Sequence, residues 1–308
     1  IRDCLLSRGL GDVYKRQVYV NGELLPRKEA KISVFDSSVQ GGDAVWEGLR
    51  VYNGKIAALD EHMKRLQNSA KTLAFQDVPT TEFITDAVFQ TLKANEMWDQ
   101  THIRLTLTRG EKITSGMNPK LNQLGCSLIV LAEWKPSVYD NSGIKVITSS
   151  VRRNTTECLD SKIHHNNLLN NILATIEANV SGVDSAIMLD VNGFISETND
   201  TNLFLVKDGE IYTPYANSCL PGITRQMILD IASGKGINNY EKDLSLTELY
   251  TSDEVFTSGT MGELTPILEA DGRIIGEGKV GEMTKKMQKY HFDYASNHGI
   301  DLPFKKPN

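Results

Sequence analysis

Asn-Gly and Asp-Gly pairs recur between short apolar runs of this chain, at Asn21-Gly22, Asn53-Gly54, Asn192-Gly193 and Asp208-Gly209. Such pairs are strong local signals for a β-hairpin, because the two central residues of its tight turn need positive φ. A chain punctuated this way folds through antiparallel strand pairs, not through the regular β-α-β alternation of a dinucleotide-binding sheet. Val18–Val20 alternates into the first turn, and Lys31–Phe35 reads as another strand. A Gly-rich turn at 41–43 leads into an apolar run from Ala44 to Tyr52. Further strands are expected at 103–108, 127–132, 144–149 and 254–257, with hairpins turning at 190–193 and 207–209.

Helical spacing appears between these runs. Asp60 can cap a helix carrying Met63, Leu66, Ala70 and Leu73, and a second helix is expected over 81–96. A third covers about 167–178, with Leu168, Leu169, Ile172, Leu173 and Ile176 on one broad face. Residues 221–224 open a short helix, and 282–296 forms the last. The mixture is α+β.

The segment 133–143 holds Pro136, Asp140, Asn141, Ser142 and Gly143, a concentration of turn formers. It sets an interdomain linker at 136–143, between an N-terminal α/β domain over 18–135 and a C-terminal domain over 144–308. Residues 1–17, IRDCLLSRGLGDVYKRQ, lack the apolar centre of a signal peptide and read as a non-native leader.

Hydrophobic residues make up 40% of the 308, enough for a sizeable core. The net charge of −6 and the lack of a basic run disfavour nucleic acid as a partner. No apolar stretch approaches the roughly 18 residues of a membrane span. Cys4, Cys126, Cys158 and Cys219 are scattered without a CxxC pair, which fits a reducing cytoplasm better than a disulfide framework or a zinc site. Neither GxxxxGK[ST] nor GxGxxG occurs, so a nucleotide site of either kind is disfavoured.

Between Lys162 and Pro266 stand SKIHHNNLLNN, DVNGFISETNDTNLFLV, CLPGITR and DEVFTSGTMGELTP; upstream are VWEGLRVYNGKI and LDEHMKRLQNSAKTL. In this order and spacing they resemble the class IV pyridoxal-phosphate-dependent aminotransferases over nearly everything from residue 18 to about 295. The branched-chain enzymes look most similar, through EGLR, EHMKRL, SGMNP and LPGITR. The resemblance implies a two-domain fold, with a small N-terminal α/β domain and a larger, barrel-like, cofactor-binding C-terminal domain. It implies pyridoxal 5'-phosphate as cofactor and a homodimer. The reaction implied is transamination between an aliphatic, branched-chain type L-amino acid and a 2-oxo acid such as 2-oxoglutarate.

Residue by residue, Lys162 falls at the family's Schiff-base lysine, where a desolvated amine would attack an aldehyde and shuttle a proton. Taken alone it would be a solvated lysine. Glu197 matches the carboxylate that pairs with the pyridine nitrogen. Gly222, Ile223 and Thr224 stand before a helix, where free amides favour a phosphate, and Thr260 and Met261 add a second set. Arg65 matches the phosphate arginine and could grip bidentately. On the substrate side, Trp46 matches an aromatic wall and Arg104 an arginine facing a carboxylate. His102 and Asn167 stand where branched-chain enzymes have tyrosines, and Gly41 at a third such place, giving a more polar pocket. Thr260 and Met261 border the substrate as well.

His164 and His165 could suggest a metal pair. Neighbours on a helix diverge by about 100°, and no third ligand is evident, so pocket lining or plain surface is the expectation. Within the family, a D-amino acid aminotransferase or an aminodeoxychorismate lyase-like enzyme is the alternative. A non-enzymatic binding protein on the same fold is countered by the intact Lys162, Glu197, Arg65 and Thr224.

Overall fold

The computed structural model describes residues 16–306. In chain order the strands are β1 (Gln17–Val20), β2 (Glu23–Pro26), β3 (Ala44–Tyr52), β4 (Lys55–Ile56), β5 (Thr101–Thr108), β6 (Ser127–Trp134), β7 (Ile144–Thr148) and β8 (Ser185–Leu189). They continue with β9 (Ile195–Thr198), β10 (Asn202–Lys207), β11 (Glu210–Thr213), β12 (Asn239–Glu241), β13 (Glu254–Gly259), β14 (Glu263–Ala270), β15 (Arg273–Ile274) and β16 (Ile300–Asp301). The helices are α1 (Ser37–Gly41), α2 (Leu59–Thr72), α3 (Thr81–Ala94), α4 (Leu169–Ser181), α5 (Ile223–Gly234), α6 (Leu246–Tyr250) and α7 (Glu282–Asn297). The chain is α+β, as its turn and helix signals imply.

Two compact units are present. The first takes the described residues up to Lys135, and also His164–Asn167 and the segment from His298 onward, both of which lie beyond the linker. Its antiparallel sheet runs β16-β4-β3-β5-β6-β1-β2. The hairpins at Asn21-Gly22 and Asn53-Gly54 form with positive φ at all four residues, as the pairs demand. One sheet face, with Val45, Leu49, Ile103, Leu105, Leu107, Leu128 and Val130, is buried. Helices α2 and α3 contact this sheet at β3 and β6 and bury Met63, Leu66, Ala70, Ile84, Val88 and Leu92. The opposite face presents Trp46, Arg50, His102, Arg104 and Glu133 in cross-strand register.

Three local expectations are corrected here. Lys31–Phe35 is not a strand: the Asp36 amide donates to Ser33 O, and the Asp36 side chain accepts from Ser38 N at 2.8 Å to start α1. Short polar side chains bonding nearby backbone compete with a ladder. Asp60 does not cap α2; Ala58, at φ 50°, precedes the helix, and Asp60 and Glu61 lie in its first turn, where they suit the helix dipole. Two residues read as leader take part in the first sheet: Arg16 O accepts from Arg27 N at 2.9 Å, and Gln17 pairs with Pro26 in β1–β2 while its amide donates to Asn95 Oδ1 at 2.8 Å. Residues 1–15 of that stretch lie outside the described residues.

The second unit carries a mixed nine-stranded sheet in the order β12-β11-β10-β13-β14-β7-β8-β9, with β15 on β14, and is the barrel-like part. Phe204 and Phe256 stack at 5.0 Å, with Ile228 of α5 and Met287 of α7 in the same core. A second apolar cluster gathers Val146, Ile187, Leu203, Leu205, Val255 and Ile267. Helix α4 packs on the sheet through Ala174 and Ala178, beside Ala186 and Met188. Its large side chains Leu169, Ile172, Leu173, Ile176 and Val180 are exposed, so the apolar face read from sequence does not belong to this core. The linker lies against this unit: Val138 N donates to Met261 O, and Tyr139 Oη lies 2.7 Å from both oxygens of Asp200. No described helix is long and apolar enough to cross a membrane.

Candidate active site

In the second unit, one short segment, residues 217–222, meets the chemistry-bearing side chains. Lys162 Nζ donates to Asn217 O at 3.3 Å and stands 3.8 Å from Asp160 Oδ1. Ser196 Oγ, next to Glu197, donates to Ser218 O at 3.0 Å. Asn202 Nδ2 donates to Leu220 O at 2.9 Å and lies 3.3 Å from Glu197 Oε2. Gly222 then precedes α5 with no side-chain cap, leaving the first amides, those of Ile223 and Thr224 among them, as an anion seat. Thr224 itself is buried.

Glu197 sits on β9, almost fully buried. Arg153 Nε donates to its Oε1 at 2.6 Å. Burial raises the Glu197 pKa above the ordinary carboxylate value, with the Arg153 charge working against that rise. Arg153 is anchored in turn by Asn170, whose Oδ1 accepts from Nη1 at 2.9 Å. Lys162 differs from expectation. Its side chain is 44% exposed and its neighbours are a carboxylate and a carbonyl, so the protein alone does not desolvate the amine.

Thr260 and Met261 form the turn between β13 and β14, and the Met261 carbonyl is engaged by the linker. Just before them, the Ser258 hydroxyl is buried without a hydrogen-bond partner.

In the first unit, Glu47 lies on the helix-covered face of β3 and is fully buried. Arg65 of α2 grips it with two bonds, Nε to Oε1 at 2.8 Å and Nη2 to Oε2 at 2.7 Å. His62 Nδ1 lies 2.7 Å from Oε2, and His164 Nδ1 3.2 Å from Oε1. Burial pushes the Glu47 carboxyl up, but His164 and the Arg65 fork more than offset this and hold it well below the ordinary range. The bidentate phosphate grip expected of Arg65 is therefore corrected. Its Nε/Nη2 edge is committed to Glu47.

Trp46, His102 and Arg104 share the other sheet face. The Arg104 guanidinium lies 3.5 Å over the Trp46 ring, and its Nη2 donates to Asn166 Oδ1 at 2.6 Å. No carboxylate among the described residues pairs with it, and burial pulls its pKa down to about 10. His102 is buried with neither ring nitrogen hydrogen-bonded; burial, then the charges of Arg50 and Lys135, lower its pKa to about 3. Asn167 is exposed and lies beside Gly42, so the amide that meets Arg104 is its neighbour Asn166. Gly41 ends α1.

His164 and His165 are not helical and not on the surface. Residues 164–166 run along β3: Trp46 N donates to His164 O at 2.9 Å and Asn166 N to Ala44 O at 2.8 Å. Among the described residues no group of three or more His, Cys, Asp or Glu could hold a metal ion.

The family model for amino-transferase class IV matches residues 44–270. This chain belongs to the class IV aminotransferases. It is 56% identical over 94% of its length to branched-chain-amino-acid aminotransferase-like protein 2 of Arabidopsis thaliana, of which it spans only 52%. A putative branched-chain-amino-acid aminotransferase of Methanocaldococcus jannaschii is 41% identical, over 93% of this chain and 99% of that protein. The branched-chain aminotransferase from the thermophilic archaeon Thermoproteus uzoniensis, solved with norvaline, superposes with a TM-score of 0.85 at 31% identity, covering 92% of this chain and 95% of that one.

Within this class IV aminotransferase chain, several site neighbours were not anticipated from sequence. Glu47 and Asn202 stand inside the quoted motifs, polar side chains in otherwise apolar strands, which is a usable signal. Ser258 also lies inside a quoted motif, whereas Arg153 carries no such signal.

Proposed function

We propose that the chain catalyses transamination between an aliphatic, branched-chain type L-amino acid and a 2-oxo acid such as 2-oxoglutarate, with pyridoxal 5'-phosphate held by Lys162. The observation that carries this reading is the 217–222 segment, which bonds to the Lys162 amine, to Ser196 beside Glu197 and to Asn202, and leads into the uncapped start of α5. These residues fit the cofactor: an accessible primary amine, a buried carboxylate, a helix start for a phosphate, and an unpartnered hydroxyl at Ser258. When bound, the cofactor supplies an aldehyde and an electron sink for charge developing at the substrate Cα.

The protein's part follows from its own groups. Lys162 carries the proton to and from the substrate Cα. Glu197 holds a proton at the pyridine nitrogen, and Arg153 keeps that carboxylate in place. The amides of Ile223 and Thr224, with the Thr260 turn and Met261, bind phosphate and border the substrate. By the family resemblance, Arg65 serves as the phosphate arginine, and Arg104, stacked on Trp46, as the arginine for a substrate carboxylate. His102 and Asn167 make that side polar.

A second copy of the chain is the partner proposed for α4. The stripe Leu169, Ile172, Leu173, Ile176 and Val180 follows helical spacing, and the one charge of α4, Glu177, is turned to Ser149 and Ser150. An uncharged apolar stripe can meet its own copy across a two-fold axis without repulsion. A cytoplasmic setting is proposed from the free thiols of Cys126, Cys158 and Cys219.

Borohydride reduction of the cofactor-loaded chain, followed by peptide mapping, tests the reading. The expected result is a pyridoxyl label on the peptide bearing Lys162. A label on any other lysine overturns it.

A further inference from the structure

His164 makes more connections in the first unit than its place in the motif requires. Its amide donates to Ser69 Oγ at 3.1 Å, tying it to α2, and its carbonyl accepts from Trp46 N at 2.9 Å, tying it to β3. Its ring centroid lies 4.2 Å from that of Trp46, and its Nδ1 stands 3.2 Å from Glu47 Oε1. At this distance Nδ1 makes no hydrogen bond to the carboxylate. The contact is therefore an electrostatic one, from the N–H edge of the ring to the carboxylate.

Each ring contact leads to a different arginine. Glu47 is the carboxylate that receives the Arg65 fork. Trp46 is the ring on which Arg104 lies. Successive residues of a strand point to opposite faces, so Glu47 and Trp46 belong to different sides of β3, and the imidazole touches both.

We infer that His164 is a positioning residue with two separable arms: its nitrogen edge sets Arg65 through Glu47, and its ring face sets Arg104 through Trp46. This rests on the proposed roles of Arg65 toward the phosphate and Arg104 toward a substrate carboxylate. Burial lowers the His164 pKa to about 4, against the pull of Glu47. Placing two cations through one rigid side chain removes freedom that each would otherwise lose on binding its ligand.

Two variants divide the arms. His164→Asn keeps an amide nitrogen within reach of Glu47 but lacks a ring face. His164→Phe keeps the ring face but has no nitrogen. His164→Ala removes both. Pyridoxal phosphate affinity is read by quenching of intrinsic fluorescence, and affinity of the holoenzyme for glutarate, an unreactive dicarboxylate, by calorimetry. Alanine should weaken both about tenfold, the usual scale for losing a polar contact to a charged group. Asparagine should restore pyridoxal phosphate binding alone, and phenylalanine glutarate binding alone. If asparagine and phenylalanine behave alike toward both ligands, the positioning role is overturned and His164 is only a packing residue.

The cofactor-free chain gives an independent readout. The Arg65 Nε–H resonance should move in the phenylalanine variant and hold in the asparagine variant, with the reverse for Trp46 Nε1–H. If the parent takes up no pyridoxal phosphate while these resonances divide as expected, the functional reading fails and the two arms stand. Resonances that move together in both variants overturn the arms themselves.

Discussion

Asn202 fills the space that a side chain at residue 222 would need: a Cβ on Gly222 would stand 2.0 Å from Asn202 Oδ1. The same asparagine bonds Leu220 O and Glu197. Gly222→Ala should displace it and disturb both contacts, at a cost of about 1–3 kcal/mol, the range for overpacking a tight site. Urea unfolding measures this. A midpoint equal to that of the parent would mean the turn yields freely and the close approach has no consequence.

Glu197→Gln should leave the cofactor bound and cut turnover about a hundredfold or more, the scale for losing one electrostatic partner in an active site. An amide cannot keep the ring nitrogen protonated. The buried Arg153 guanidinium also loses its counter-charge, so some stability should go as well. Steady-state kinetics at saturating cofactor decide the matter, and turnover within twofold of the parent would refute the role.

Arg104→Ala should lower kcat/KM for glutamate and 2-oxoglutarate by about 2–3 kcal/mol, because a substrate charge is left unpaired. The aliphatic partner should lose far less. Single-turnover measurements of each half-reaction at the cofactor absorption band separate the cases. Equal losses for both partners would place Arg104 at the shared α-carboxylate, the arrangement of a D-amino acid type of site. The stack on Trp46 and the bond to Asn166 fix the arginine in one orientation, so Asn166→Ala should show a weaker form of the same selectivity.

Stability should fall in mild acid through His102. Unfolded, this residue takes up a proton near pH 6.5; folded, only near about 3. Its contribution to stability is present in full above the unfolded value and is lost progressively as pH drops toward the folded one. The unfolding free energy of the parent relative to His102→Tyr should change by up to about 1.4 kcal/mol per pH unit across that interval. A difference that stays constant with pH would show that His102 titrates normally.

The apolar stripe of α4 predicts a dimer in solution. Replacing Leu173 and Ile176, both about half exposed, with glutamate should place like charges at the contact and yield monomers by analytical ultracentrifugation. Helicity should be unchanged, since both side chains lie on the exposed side of the helix. A parent that sediments as a monomer would remove the basis of this assignment.

The turns were legible because an Asn-Gly pair constrains its own backbone, whatever surrounds it. The site was legible where a motif keeps its residues close in the chain, as in the run from Ile195 to Leu205 or in LPGITR. Partners distant in sequence were not. Arg153 meets Glu197 across 44 residues and Arg104 meets Asn166 across 62, and no local pattern encodes either pair. Arg65 matched its motif, yet its fork faces Glu47, 18 residues away. Helical spacing showed that α4 has an apolar face. It could not show that Ala174 and Ala178, not the large side chains, are the ones that pack inward.

The first unit is not one continuous stretch of chain. Residues 164–166 complete one border of β3, and β16 pairs with β4 through Ile300 and Ile56. A gene split at the linker would therefore yield an N-terminal fragment with two open strand borders, both waiting for segments encoded in the other half. Such halves should refold only when mixed, through complementation, and alone the N-terminal piece should seek a substitute strand by aggregating.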